Sequence, residues 1–161
     1  MGHYETIDQI EFAKYLRALS YVDSTRIGVH GWSYGGYLTS LLMTKGADYF
    51  KVGVAVAPVI NWRYYDSIYT ERYLSLPAEN PKGYDDNSPV FFADKLKGKY
   101  LLIHGLTDDN VHFQNSAEMV IALVKNKKQF DSFYYPNQAH GISQSRWHLY
   151  EMMTGYFKKN L

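Results

Sequence analysis

The chain contains no cysteine, which removes disulfides, thiol nucleophiles and cysteine-ligated metal from consideration while leaving its redox compartment open. Neither sign of charge dominates: the net charge of +1 gives no reason to expect nucleic acid or an anionic membrane as partner. No apolar run approaches the roughly 18 residues of a membrane span; the best, residues 52–60, is interrupted by Pro58. Repeats, low-complexity tracts and interdomain linkers are also lacking. The opening Met1-Gly2-His3-Tyr4-Glu5 has neither the basic nor the apolar region of a signal peptide. What is present is 46% apolar and 20% charged residues over 161 positions, enough for one globular domain with a buried core.

Strand and helix signals alternate along the chain. Thr6-Ile7-Asp8-Gln9 fits a capping box, and Ile7, Ile10, Ala13, Leu16 and Leu19 recur at helical spacing. Asp23-Ser24-Thr25 breaks that pattern before a short strand over residues 26–30. A helix over 34–44 follows, closed near Gly46, then a strand over 51–57 stopped by Pro58. An aromatic helical insert spans 62–76, and a polar loop carries Pro77, Pro81, Gly83 and Pro89. Strands over 100–104 and 131–135 alternate with helices over 113–127 and 145–159. Met119, Val120, Leu123 and Val124 are expected on one buried side of the first of these helices. This alternation predicts an α/β fold, a parallel sheet of about four strands flanked by helices.

Gly31-Trp32-Ser33-Tyr34-Gly35 matches G-x-S-x-G between a predicted strand and a predicted helix, where a strained turn holds a serine hydroxyl above a sheet. The two glycines are expected to allow close approach of helix and strand. The helix N-terminus places free N–H groups near a developing oxyanion, and the backbone N–H of Tyr34 is one donor. A nucleophilic serine needs a base, and the base needs an acid to fix its tautomer. The strand over 100–104 runs into Asp108 and Asp109, either of which fits the acid. The strand over 131–135 runs into His140-Gly141, the one histidine that follows a strand beyond a plausible acid loop. His30 and His104, at strand ends, read as packing or hydrogen-bonding residues. No His/Asp pair shows metal-ligand spacing such as HExxH, so no metal is expected.

GWSYGGY at 31–37, VAPVINWRYYDSIYTERY at 56–73, LLIHGLTDDNVHFQ at 101–114 and the His140-Gly141 loop closely resemble the dipeptidyl-peptidase branch of the prolyl oligopeptidase family of serine peptidases. The resemblance implies Ser33, Asp108 and His140 as the catalytic triad, choosing the first of the two aspartates. It implies an apolar proline pocket made by Tyr34, Val59, Trp62, Tyr65, Tyr69 and Val111, and a hydrogen bond from Asn110 to the substrate backbone. A flat aromatic box suits a rigid, apolar ring that lacks an N–H. The implied reaction releases N-terminal dipeptides from peptides with a penultimate proline or alanine, through an acyl-enzyme and without cofactor. A periplasmic, cell-surface or extracellular setting is implied for the parent enzyme.

A complete α/β-hydrolase sheet has about eight strands, so residues 1–161 read as the C-terminal portion of a peptidase domain. The rest of the sheet, the second oxyanion donor and an N-terminal β-propeller are expected to lie outside them. This implies weak or no activity for the chain alone. It also leaves the strand over 26–30 as an exposed apolar edge, a template for self-association. The last helix and the region of Phe113 and Tyr134, which the resemblance marks as a dimer surface, offer a second route to a homo-oligomer.

Overall fold

Val-Gly-Val-Ala-Val has no polar face to offer water. In the computed structural model, which describes residues 1–161, it forms β2 (Val52–Val56), buried at every position. Burial on both faces is what a central parallel strand requires. β2 pairs in parallel with β1 (Gly28–Trp32) on one side and β3 (Lys99–Gly105) on the other, and β3 pairs with β4 (Asp131–Tyr135). The result is one four-stranded sheet in the order β1-β2-β3-β4, with helices α1 (His3–Arg17), α2 (Tyr34–Thr44), α3 (Ser67–Leu74), α4 (Pro81–Asp85), α5 (Gln114–Lys125) and α6 (Arg146–Asn160) around it. This is a partial α/β-hydrolase fold. None of the helices is long and apolar enough to cross a membrane.

Alternation along the strands divides the core in two. Ala55, Tyr100 and Leu102 point to one face and pack with Ala13 of α1, Leu42 and Met43 of α2, and Met119 and Leu123 of α5. Val54, Val56, Leu101 and Ile103 point to the other and pack with Leu149 and Met153 of α6. A third cluster, Tyr37, Leu41, Val59, Trp62, Leu74, Tyr84 and Val111, lies at the end of the sheet where the strands run out.

Several local expectations are corrected. α1 starts at His3, with Gly2 as N-cap, so Thr6 lies inside the helix and the capping box does not form. The Thr6 hydroxyl instead donates back to the Gly2 carbonyl at 2.5 Å, an i−4 bond open to any buried helical threonine. The buried face is consequently Thr6, Ile10 and Ala13, while Ile7 is 43% exposed. In α5, Met119 and Leu123 are fully buried but Val124 is 62% exposed. Residue 124 lies five beyond 119, a step that carries it off that face. The first strand is Gly28–Trp32 rather than 26–30. The polar loop contains α4 and a 3-10 segment, Pro89–Lys95, each with proline in its first turn, where the missing N–H costs nothing.

Candidate functional site

All four strands are parallel, so the loops after β1, β2, β3 and β4 emerge at one edge of the sheet. Ser33 occupies the one-residue turn between β1 and α2 with φ 58° and ψ −116°. That left-handed conformation is strained for a residue with a Cβ, at a cost of about 1–3 kcal/mol. It is held by the Ser33 N–H donating to the Val56 carbonyl at 2.9 Å and by Tyr37 N–H donating to the Ser33 carbonyl at 2.9 Å. Tyr34 is the first residue of α2, and its N–H has no partner within the helix.

Asp108 follows β3 and is 4% exposed. Its Oδ1 accepts the backbone N–H groups of Asn110 at 3.0 Å and Val111 at 2.9 Å. Its Oδ2 lies 2.8 Å from His140 Nδ1 and 3.2 Å from His104 Nε2. Burial pushes the Asp108 carboxyl up, but the bonds from His104, His140 and the Asn110 N–H outweigh it and hold the group well below the usual carboxylate range. Its contribution to stability is present above the unfolded-state value of about 3.9 and is lost only as the pH falls through that depressed folded value. Asp109, the alternative acid, is exposed.

His140 follows β4. The two loops are tied together by Leu106 N–H to the Tyr135 carbonyl at 2.9 Å and Thr107 N–H to the Gln138 carbonyl at 3.1 Å. Trp32, the residue before Ser33, donates its indole N–H to the His140 carbonyl at 2.9 Å, which connects the histidine loop to the serine turn. His140 Nδ1 is committed to Asp108, leaving Nε2 as the ring atom free to meet a hydroxyl. No hydrogen bond joins it to Ser33 in this resting arrangement, a common state before substrate tightens a site.

Beside Ser33 lies a cleft of about 220 Å³ walled by Tyr34, Val59, Trp62, Tyr65 and Tyr69. Trp62 meets Tyr65 edge-on at 5.9 Å and Tyr69 nearly parallel at 6.0 Å, and Tyr65 meets Tyr69 edge-on at 5.3 Å. Val111 is buried behind these rings in the third cluster. The Tyr65 hydroxyl donates to Asn110 Oδ1 at 2.9 Å, so the Asn110 amide N–H₂ is left to donate outward. Thus all ten residues singled out from the sequence gather at one edge. Two clefts of about 420 Å³ lie elsewhere, along α6 and at the lysine-rich N-terminal edge of the sheet, and neither contains Ser33, Asp108 or His140.

Other contributors were not singled out by the sequence reading. The Tyr34 hydroxyl donates to Glu5 Oε1 of α1 at 2.6 Å, and burial together with that carboxylate pushes the Tyr34 phenol far up, keeping it neutral. Asn115 is fully buried and its Oδ1 accepts from Ile60 N–H at 2.9 Å and Asn61 N–H at 3.3 Å, pinning the loop that carries Val59 and Trp62. His104, expected as a packing or hydrogen-bonding residue, is fully buried, bonds Ser116 and the Val111 carbonyl, and lies 3.2 Å from Asp108 Oδ2. No spacing rule signals any of these, because each pair is joined only through the fold.

The family profile of the prolyl oligopeptidase family matches residues 1–161. The chain belongs to the prolyl oligopeptidase family. Among relatives in that family it is 44% identical to dipeptidyl peptidase 4 of Bos taurus, over 99% of this chain and 21% of that protein. It is likewise 44% identical to prolyl endopeptidase FAP of Homo sapiens, over 99% of this chain and 21% of that one. The crystal structure of Porphyromonas gingivalis dipeptidyl peptidase 4 superposes with a TM-score of 0.97 at 44% identity, over all of this chain and 23% of that chain. The 161 residues therefore span about a fifth of the length of these family members.

Proposed function

We propose that Ser33, His140 and Asp108 are the nucleophile, base and acid of a serine peptidase that cleaves after proline or alanine. The observation that carries this reading is the shared location of Ser33 in the wall of the aromatic cleft and at the end of the Trp32 tether to the Asp108–His140 pair. His140 Nε2 takes the Ser33 proton as the oxygen attacks the scissile carbonyl, and the carbonyl electrons move onto an oxyanion facing the Tyr34 N–H. The imidazolium then gives its proton to the leaving amine, and water hydrolyses the acyl-serine by the same steps. The flat rings receive the proline side chain, and the Asn110 amide donates to a substrate carbonyl.

Release of dipeptides, with substrates carrying a penultimate proline or alanine, is the finer part of this proposal. Relatives named as a dipeptidyl peptidase and as a prolyl endopeptidase are equally similar here, so the cleavage register is not written in the features these residues share with both. Within the 161 residues one oxyanion donor is assigned. A missing second donor lowers rates by roughly 100- to 1,000-fold, so weak peptide turnover by the chain alone is expected.

Intact mass after exposure to a fluorophosphonate tests the reading. One adduct is expected on the unaltered chain, and none on Ser33→Ala or His140→Ala. An unlabelled chain that is folded by circular dichroism defeats the proposal for these residues and leaves a non-catalytic interaction fragment as the reading. For a labelled chain, faster turnover of a short ester than of a glycyl-prolyl anilide would instead favour an esterase or acylaminoacyl peptidase.

The chain is also proposed to self-associate. β1 has a strand neighbour on one side only, and its outer N–H and C=O groups form a template for another strand. Trp147 and Tyr150 of α6, 84% and 53% exposed, offer the alternative surface. Sedimentation at micromolar concentration is expected to show dimers or larger species, and a clean monomer overturns this. Loss of association in Trp147→Ser with Tyr150→Ser would assign it to α6 rather than to the edge.

A further inference from the structure

A buried histidine with both ring nitrogens bonded stands beside the candidate triad. His104, fully buried in β3, places Nδ1 2.6 Å from the Ser116 hydroxyl of α5. Its Nε2 is 2.8 Å from the Val111 carbonyl and 3.2 Å from Asp108 Oδ2. A carbonyl and an ionised carboxylate can only accept, so Nε2 carries the proton, hydrogen-bonded to the Val111 carbonyl with Asp108 Oδ2 beside it at 3.2 Å. Nδ1 then accepts the Ser116 O–H. The neutral Nε2–H tautomer satisfies every partner, and its reverse would set a bare nitrogen against two acceptors.

We infer that His104 is a positioning residue of the Asp108–His140 pair: its Nε2–H, held by the Val111 carbonyl and placed 3.2 Å from Asp108 Oδ2, fixes the rotation of the carboxylate toward His140. This rests on the reading of Asp108 and His140 as acid and base. Rotation of a carboxylate about its last bond is soft. The two backbone N–H groups hold Oδ1 only, which leaves the plane free to rock about that anchor. A donor on Oδ2, delivered from a strand and braced through Ser116 by a helix, stops the rocking. The carboxylate is then faced by the Asn110 and Val111 N–H groups, by His140 and by His104, and of these only His104 is carried by a strand.

Four chains test this: the unaltered one, His104→Gln, His104→Asn and His104→Leu. The glutamine amide reaches the place of Nε2 and can donate to Asp108, whereas the shorter asparagine amide reaches only the place of Nδ1 near Ser116. Leucine fills the volume without a donor. The first readout is the ring Nδ1–H of His140 in proton–nitrogen NMR, which needs no turnover. A protected, low-field signal is expected in the unaltered chain and in His104→Gln, and a broadened or exchanged one in His104→Asn and His104→Leu. The second is the fluorophosphonate labelling rate, expected to fall roughly 10- to 100-fold in the asparagine and leucine chains, the scale on which outer partners of metal-ligating side chains act, and to recover in the glutamine chain.

An unchanged His140 signal and labelling rate in His104→Asn overturns the inference. So does an equal loss in the glutamine and asparagine chains, which would make His104 a packing residue. If His104→Leu does not fold, the two amides decide between them. If the unaltered chain is not labelled, the catalytic reading fails for these residues while the NMR series still decides the role of His104. Absence of the protected signal from the unaltered chain also overturns the inference.

Discussion

Asp108→Asn is expected to slow modification of Ser33 by about ten-thousand-fold, the effect of forcing a triad histidine into the wrong tautomer. The structure dictates which way the amide must face. Position Oδ1 receives two backbone N–H groups, so the amide oxygen belongs there and its N–H₂ is driven to the place of Oδ2. There it points hydrogens at His140 Nδ1, 2.8 Å away in the unaltered chain. Nδ1 must give up its proton to accept, and the proton moves to Nε2. The atom that should receive the serine proton then already carries one. The same N–H₂ confronts His104 Nε2–H, so a flipped amide would only exchange one clash for two at the backbone. The fluorophosphonate labelling rate measures the loss, and the ring-nitrogen shifts of His140 report the tautomer directly. A rate within tenfold of the unaltered chain would remove Asp108 from the triad.

The sheet was legible because its strands are short runs with sharp ends: Pro58 shortly after β2, a glycine closing β3, and Pro136 after β4. β4 matches its predicted bounds at both ends. The edge at which the candidate residues gather followed from parallel order alone. Helix starts were harder to place. A Thr-x-x-Gln pattern has the residues of a capping box, but whether it caps depends on where the chain turns, and here Gly2, with φ 85°, turns it four residues earlier. Proline marked loops in the sequence, yet Pro81 and Pro89 begin helical turns. Candidate site residues were found where chemistry and order along the chain coincide, as for Ser33 and His140. Those that act through the fold, His104 on Asp108 and Glu5 on Tyr34, carry no such signal. Their residue types are common, and the distances that give them meaning arise only when β3 meets the loop after it and α1 meets α2.

Gly31→Ala is expected to lose both stability and labelling, and the contrast with Gly35→Ala isolates the reason. A Cβ on Gly31 would lie 2.2 Å from the carbonyl carbon and oxygen of Gly35. Those are backbone atoms in the first turn of α2, so no side-chain rotation relieves the overlap. Strand and helix must separate, and Ser33 sits between them in a conformation already under strain. Overpacking a core typically costs about 1–3 kcal/mol, and here the cost is expected at or above the top of that range because backbone must move. A Cβ on Gly35 would meet nothing within 4 Å. The close approach in the motif therefore depends on Gly31, with the Gly35 backbone as the partner surface rather than as a second missing side chain. The third glycine, Gly36, shares the role: its added Cβ would fall 2.8 Å from the Val56 carbonyl oxygen, which is the acceptor for Ser33 N–H. Denaturant midpoints and labelling rates of the Gly31→Ala and Gly35→Ala chains check the argument. Equal stability of the two would mean that the turn can open without disturbing the fold, and that the strain at Ser33 is not maintained by this packing.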